Sequence, residues 1–294
     1  MSFSKDVKEE LSKLSNLANK KQVEAELIGY LLSSNCSYKN NHIKFATENE
    51  YNINRFAKLL NNINCSNYKI DMSGKSFVIT FTPVLLEKIT IENEMIILKE
   101  MSDNEILKDE NLQKAFIRGV FLGSGSINNP QNKYHLEVTF SGQKNSEKLL
   151  EMLKQYEINF KTIIKGKNYS TYTKDGEEIS RFLALIGANK SVLKYEEIRV
   201  YRDMRNNINR KVNCETANLN KTINAAVKQI EAIKALKKAN KLGDLSDSLK
   251  EIALLRLENP DASLVELGQM LENPIHYRDG RTAGMIEKSV EKIS

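Results

Sequence analysis

Long apolar runs are missing from this chain of 294 residues, and none reaches the roughly 18 residues that a membrane span needs. The N-terminal Met1-Ser2-Phe3-Ser4-Lys5-Asp6 passes straight into charged residues without an apolar signal core, so the sequence predicts a cytoplasmic protein with no membrane partner. Cysteine is scarce. Cys36, Cys65 and Cys214 are odd in number and widely spaced, which fits neither a disulfide framework nor paired zinc ligands and leaves them as small buried hydrophobes. Histidine is equally scarce: His42, His135 and His276 lie far apart with no metal-ligand or triad spacing, so no metal, cofactor or catalytic histidine is expected. Proline and glycine are absent from Lys190 to Lys241, which removes the usual helix breakers from that stretch.

The 40% hydrophobic and 28% charged content is that of a folded globular protein long enough for two domains. The net charge of +6 is unevenly placed. Residues 1–106 carry net −1 and residues 107–189 net +3, whereas residues 190–241 carry +8 and residues 242–294 carry −4. A concentrated positive stretch is an electrostatic footprint for phosphate backbones or acidic partners, or else a solvated helix face.

An internal repeat organises the first two thirds of the chain. Glu26-Leu27-Ile28-Gly29-Tyr30-Leu31-Leu32-Ser33-Ser34-Asn35 has a counterpart in Phe116-Ile117-Arg118-Gly119-Val120-Phe121-Leu122-Gly123-Ser124-Gly125, with Gly29 and Gly119 ninety positions apart. Each copy is an apolar helix with an internal glycine that admits another backbone. A strand at 42–47, a helix bearing Phe56, Leu59, Leu60 and Ile63, and a hairpin of 68–72 and 77–81 follow the first. The second has a strand through Tyr134, Leu136, Val138 and Phe140, a helix with Leu149, Leu150, Leu153 and Tyr156, a hairpin turning at Lys165-Gly166-Lys167, and a last helix with Phe182, Leu183, Leu185 and Ile186. Packed through their glycines, the two units predict one pseudo-twofold body with a continuous antiparallel sheet.

This pattern resembles the LAGLIDADG homing endonucleases, whose motif helices pack at the pseudo-twofold axis and end in metal-binding acids. Phosphodiester cleavage there needs carboxylate-held divalent ions. Ser34 and Ser124 stand at the acidic positions, and Leu32 and Leu122 at the earlier ones, so the sequence predicts a domain that has lost its catalytic centre.

In the basic stretch, Leu219, Ile223, Ala226, Ile230 and Ile233 recur at spacings of 4, 3, 4 and 3, predicting one apolar stripe on a helix that breaks near Asn213. Ahead of it, Arg202, Arg205, Asn209, Arg210 and Lys211 are suited to phosphate oxygens and base edges. Asn206, Asn207, Asn209, Asn213, Asn218 and Asn220 are poor company for a helix that only packs, and point to contact or capping roles.

Ser248-Leu249-Lys250-Glu251 and Ser263-Leu264-Val265-Glu266 match capping boxes, separated by Asn259-Pro260-Asp261. A third helix is expected from Arg281 or Thr282. It buries Ala283, Ile286, Val290 and Ile293 and exposes Arg281, Thr282, Met285, Lys288, Ser289 and Lys292. That is a helix-turn-helix layout, for which the candidate DNA contacts also include Ser263 and Arg278, or a three-helix protein-interaction unit.

The order of repeat, the segment Asn209-Arg210-Lys211-Val212-Asn213-Cys214-Glu215-Thr216-Ala217-Asn218-Leu219-Asn220-Lys221-Thr222, and Leu254-Leu255-Arg256-Leu257-Glu258-Asn259-Pro260-Asp261-Ala262-Ser263-Leu264 resembles the WhiA sporulation and cell-division regulators over nearly the full length. The family's asparagine-histidine-arginine stretch at the third helix is replaced here by Thr282-Ala283-Gly284. The resemblance implies a non-catalytic, nucleoid-associated protein that binds double-stranded DNA, with protein partners in transcription or cell division, and roles in chromosome segregation and sporulation. The fold expected is α+β, a duplicated LAGLIDADG-like αββαββα domain followed by an all-α helix-turn-helix domain. Its expected divisions are repeat one at 1–106, repeat two at 107–189, a basic helical linker at 190–241 and the helix-turn-helix at 242–294. The alternative is a scaffold whose C-terminal module binds a protein.

Overall fold

The computed structural model describes residues 2–99 and 105–270. It divides into two compact units, and the first ends at Asp203. Chain order in the first repeat is helix α1 (Phe3–Ser12), α2 (Lys20–Leu31), strands β1 (Cys36–Lys39) and β2 (His42–Thr47), α3 (Glu50–Asn62), β3 (Tyr68–Ser73) and β4 (Ser76–Phe81). A small hairpin, β5 (Ile89–Glu92) with β6 (Met95–Leu98), and helix α4 (Glu105–Lys108) lead into the second repeat. There α5 (Glu110–Ser124), β7 (Ser126–Ile127), β8 (Leu136–Phe140), α6 (Gln143–Gln155), β9 (Lys161–Lys165), β10 (Asn168–Thr173) and α7 (Gly176–Leu185) complete the expected αββαββα order.

Each repeat builds its own antiparallel four-stranded sheet, β1-β2-β4-β3 and β7-β8-β10-β9. Alternation sets the faces: Ile43, Phe45, Ile79 and Phe81 turn inward in the first sheet, as Leu136, Val138 and Phe140 do in the second. The hairpins turn through Gly74 and Gly166, whose φ of +62° and +61° favours glycine. The expected continuous sheet is corrected here. A bridge between Ser33 and Phe140, with Ser34 N–H donating to the Thr139 carbonyl at 2.9 Å, links the halves instead of a ladder. The strands that leave the motif helices, of four and two residues, are too short to extend one.

The body is held by α2 against α5. A Cβ on Gly29 would lie 2.2 Å from the Phe116 carbonyl oxygen, and one on Gly119 would lie 1.9 Å from that of Glu26, so the backbones touch only because both residues lack side chains. Around them, Tyr30, Phe45, Phe56, Phe81, Phe116, Phe121 and Phe182 join one apolar core.

Helix α8 (Asn189–Lys238) runs unbroken through Asn213, correcting the expected break, and the boundary between the two units falls inside it. With no proline or glycine, nothing interrupts its hydrogen-bond ladder. In the second unit, Ala226, Gln229, Ile233 and Leu236 are buried and Ile230 half-buried. Leu219 and Ile223 are 59% and 48% exposed, so the predicted stripe is covered only in its C-terminal half. Helix α9 (Asp247–Glu258) starts after Ser246, which places Ser248 within its first turn rather than at the N-cap. The second capping box forms as predicted before α10 (Leu264–Met270): Ser263 N–H donates to Glu266 Oε2 at 2.7 Å, and Glu266 N–H donates to Ser263 Oγ at 3.2 Å.

Candidate nucleic-acid interface

The ends of α2 and α5 lie side by side, where a Cβ on Gly123 would fall 2.5 Å from Ser33 Oγ. Ser34 and Ser124 are half-buried there. Ser124 Oγ donates to the Thr139 carbonyl at 2.6 Å and accepts from Thr139 N–H at 3.2 Å, so its hydroxyl ties the helix end to β8. Asn35 Nδ2 donates to the Gly123 carbonyl at 2.8 Å. Reciprocal caps flank this point. Asn52, at 0% exposure, donates to the Leu122 carbonyl at 2.7 Å and accepts from Tyr30 Oη at 2.6 Å. Asn145 donates to the Ile96 carbonyl at 2.9 Å and to that of Leu32 at 3.4 Å. Each asparagine stands in the first turn of the helix that follows its repeat's motif helix, and satisfies a carbonyl at the end of the other repeat's motif helix.

Beneath lies a buried ion cluster. Glu26 accepts from Arg55 Nε at 2.8 Å and Nη2 at 3.0 Å, and from Arg118 Nε at 2.9 Å. Arg55 also donates to the Leu14 carbonyl at 2.6 Å and to Asn16 Oδ1. Burial by itself raises the Glu26 pKa, but the hydrogen bonds and charge of the two guanidiniums outweigh it and hold the carboxyl below its ordinary value. These groups staple the repeats together.

His42 Nδ1 faces the Asn40 carbonyl at 2.8 Å, and His135 Nε2 lies 3.5 Å from Glu137 Oε2. Among the described residues, no group of three His, Cys, Asp or Glu side chains gathers at one point. Nor is any helix of the described residues long and apolar enough to cross a membrane.

The basic candidates sit on α8, and the structure sorts them. Arg202 donates to the Pro130 carbonyl at 3.0 Å and stacks over the Tyr134 ring, 4.5 Å from its centroid, so it anchors the start of the helix to the first unit. Arg205, Asn209, Arg210 and Lys211 are exposed, and no carboxylate pairs with these cations among the described residues. Ser263 serves as the cap of α10. Arg278, Arg281, Thr282, Met285, Lys288, Ser289 and Lys292, together with the predicted third helix, lie outside the described residues.

Sequence reasoning passed over Asn52, Asn145, Glu26, Arg55 and Arg118. A charge inside an otherwise apolar motif segment was the available signal for Glu26 and Arg118, and nothing comparable marked Arg55 on α3.

Comparison with known proteins matches the geometry. The WhiA LAGLIDADG-like domain matches residues 113–205, and the WhiA C-terminal HTH domain matches residues 208–280. A probable cell division protein WhiA of Clostridium tetani is 38% identical, covering 100% of this chain and 98% of that protein. Its Staphylococcus carnosus counterpart is 37% identical, covering 95% and 93%. The crystal structure of full-length DUF199/WhiA from Thermotoga maritima superposes with a TM-score of 0.60 at 26% identity, covering 99% of both chains. A glycine-packed, duplicated LAGLIDADG-like body continued by an HTH segment, with identity of this extent along the whole chain, places the protein in the WhiA family.

Proposed function

We propose that this chain is a DNA-binding protein acting in cell division that grips duplex DNA without cutting it. The observation that carries the reading is the set Arg205, Arg210 and Lys211, exposed and without carboxylate partners among the described residues, where the chain passes into its HTH-matched segment. Cations held in water at no cost to an ion pair are available to displace counterions from phosphates. In this reading the protein works in the cytoplasm on the nucleoid, as a regulator of transcription or a chromosome-associated factor in segregation and sporulation. Serine at positions 34 and 124 supports binding without hydrolysis, because a hydroxyl cannot replace a carboxylate as a hard anionic ligand. Magnesium-dependent nicking of a duplex library, lost on mutating carboxylates near α2 and α5, would overturn that part.

The test is salt-dependent affinity of the full chain for duplex DNA. Replacing Arg205, Arg210 and Lys211 with glutamine together flattens the slope of log K against log salt by about 2–3, since each phosphate contact contributes about 0.9. An unchanged slope removes these residues from the interface.

A second reading, a protein-interaction scaffold, is favoured by Met204, Ile208 and Val212, which expose 56%, 59% and 52% of their surface on the same helix. If the full chain shows no salt-dependent affinity for duplex DNA, that reading gains.

A further inference from the structure

Every side chain from Asp203 to Asn224 is exposed, so this stretch of α8 has no tertiary partner within the described residues. Its sequence is a poor choice for a helix that stands alone, since asparagine prefers caps and turns and isolated helices are marginal without packing. The placement of those asparagines is ordered. At about 100° per residue, Asn206, Asn209 and Asn213 fall within an arc of about 60°, with Arg210 beside them. Met204, Ile208 and Val212 lie on the opposite side. None of the three asparagine amides has a hydrogen-bond partner among the described residues, although asparagines elsewhere in the chain, such as Asn35, Asn52 and Asn145, are bonded.

We infer that the Asn206, Asn209 and Asn213 face of α8 reads adenines in the major groove of duplex DNA, separately from the helix-turn-helix. The inference rests on the DNA-binding reading and adds to it a division of labour along one helix. A carboxamide offers one donor and one acceptor side by side, the complement of adenine N6 and N7, whereas Arg205, Arg210 and Lys211 offer donors alone and suit phosphates. The fit is geometric as well. A helix about 10–12 Å across enters a groove about 12 Å wide, and the seven steps from Asn206 to Asn213 span about 10 Å, close to three base-pair steps. Charge chooses the occupant: residues 204–224 hold four basic side chains and one acidic, and two of the four, Arg205 and Arg210, flank the polar arc at about 40° beyond its two edges, so that arc faces an anionic surface. Arg205 and Arg210 on the two flanks of the asparagine arc reach the phosphates either side of the groove, which fixes the rotation of the helix about its axis.

The experiment selects bound duplexes from a randomised pool, using the full chain and an Asn209→Ala/Asn213→Ala variant. Alanine is the better helix former, so the helix is retained. The inference expects the wild type to enrich two or more adenine positions within three base pairs, and the variant to lose roughly tenfold discrimination at those positions while its salt slope is unchanged. Identical enriched sequences from both proteins overturn the inference and leave the DNA-binding reading standing. Absence of salt-dependent binding by the wild type overturns both.

Discussion

Gly119 has no space for a side chain, because a methyl group there would press on the Glu26 carbonyl of the opposite backbone. Neither helix can move away without opening the core, so Gly119→Ala costs at least the 1–3 kcal/mol typical of overpacking, readable as a shift of the denaturant midpoint. Glu26 acts through charge. Its removal leaves Arg55 and Arg118 buried without a counterion, and Glu26→Gln is expected to destabilise by about 3–5 kcal/mol. The pH dependence has a definite sign. The folded Glu26 pKa lies below the unfolded value of about 4.3, so its contribution is complete above that value and disappears as pH falls through the folded pKa. Wild-type stability therefore drops in acid more steeply than that of Glu26→Gln. Lys8 works in the reverse sense: burial lowers its pKa to about 8. The folded state disfavours the charged amine, so Lys8→Met raises the melting temperature at pH 7, and the gain shrinks as pH passes from 8 toward 10. A gain that persists at pH 10 would remove deprotonation as its cause.

Helix α8 shows how differently one element can be stabilised along its length. Ile208 is 59% exposed and Ile233 only 1%, though both are apolar residues of the same helix. Ile208→Gln should change stability by less than about 0.5 kcal/mol, whereas Ile233→Ala should cost about 2–4 kcal/mol, both read from denaturant unfolding. The contrast marks what the sequence disclosed at this scale. Periodicity found the helix and its apolar stripe, but it could not tell which part of the stripe is covered, because that depends on where the other elements dock. The repeat was legible from Gly29 and Gly119 and from alternation in β2, β4 and β8. Strand β1 and the β5–β6 hairpin were missed because their strands are four residues long; helix α1 was missed although Phe3, Val7 and Leu11 recur at helical spacing and are buried. The capping box at Ser263 was legible because both partners are local; at Ser248 the same pattern misled, because α9 starts at Asp247 and places that residue inside the first turn. Asn52 and Asn145 gave no sign, since the carbonyls they satisfy lie 70 and 113 residues away.

Within the first unit, the two repeats depend on each other. Glu26 is neutralised partly by Arg118 of the second repeat, Leu122 is capped by Asn52 of the first, and Leu32 by Asn145 of the second. If the repeats separated, each motif helix would expose a glycine-lined apolar face, and the polar groups that cross between them would lose their partners. Neither half can keep its core alone, so the two must unfold as one cooperative step. Asn52→Ala and Asn145→Ala test this from opposite sides. Each leaves a buried carbonyl without its donor, at about 1–3 kcal/mol. Calorimetry of the full chain should show both variants lowering the same transition, even though the substituted residues belong to different sequence repeats. If Asn52→Ala moved one transition and Asn145→Ala another, the repeats would be independent domains, and the contacts across the pseudo-twofold would hold together two units already folded.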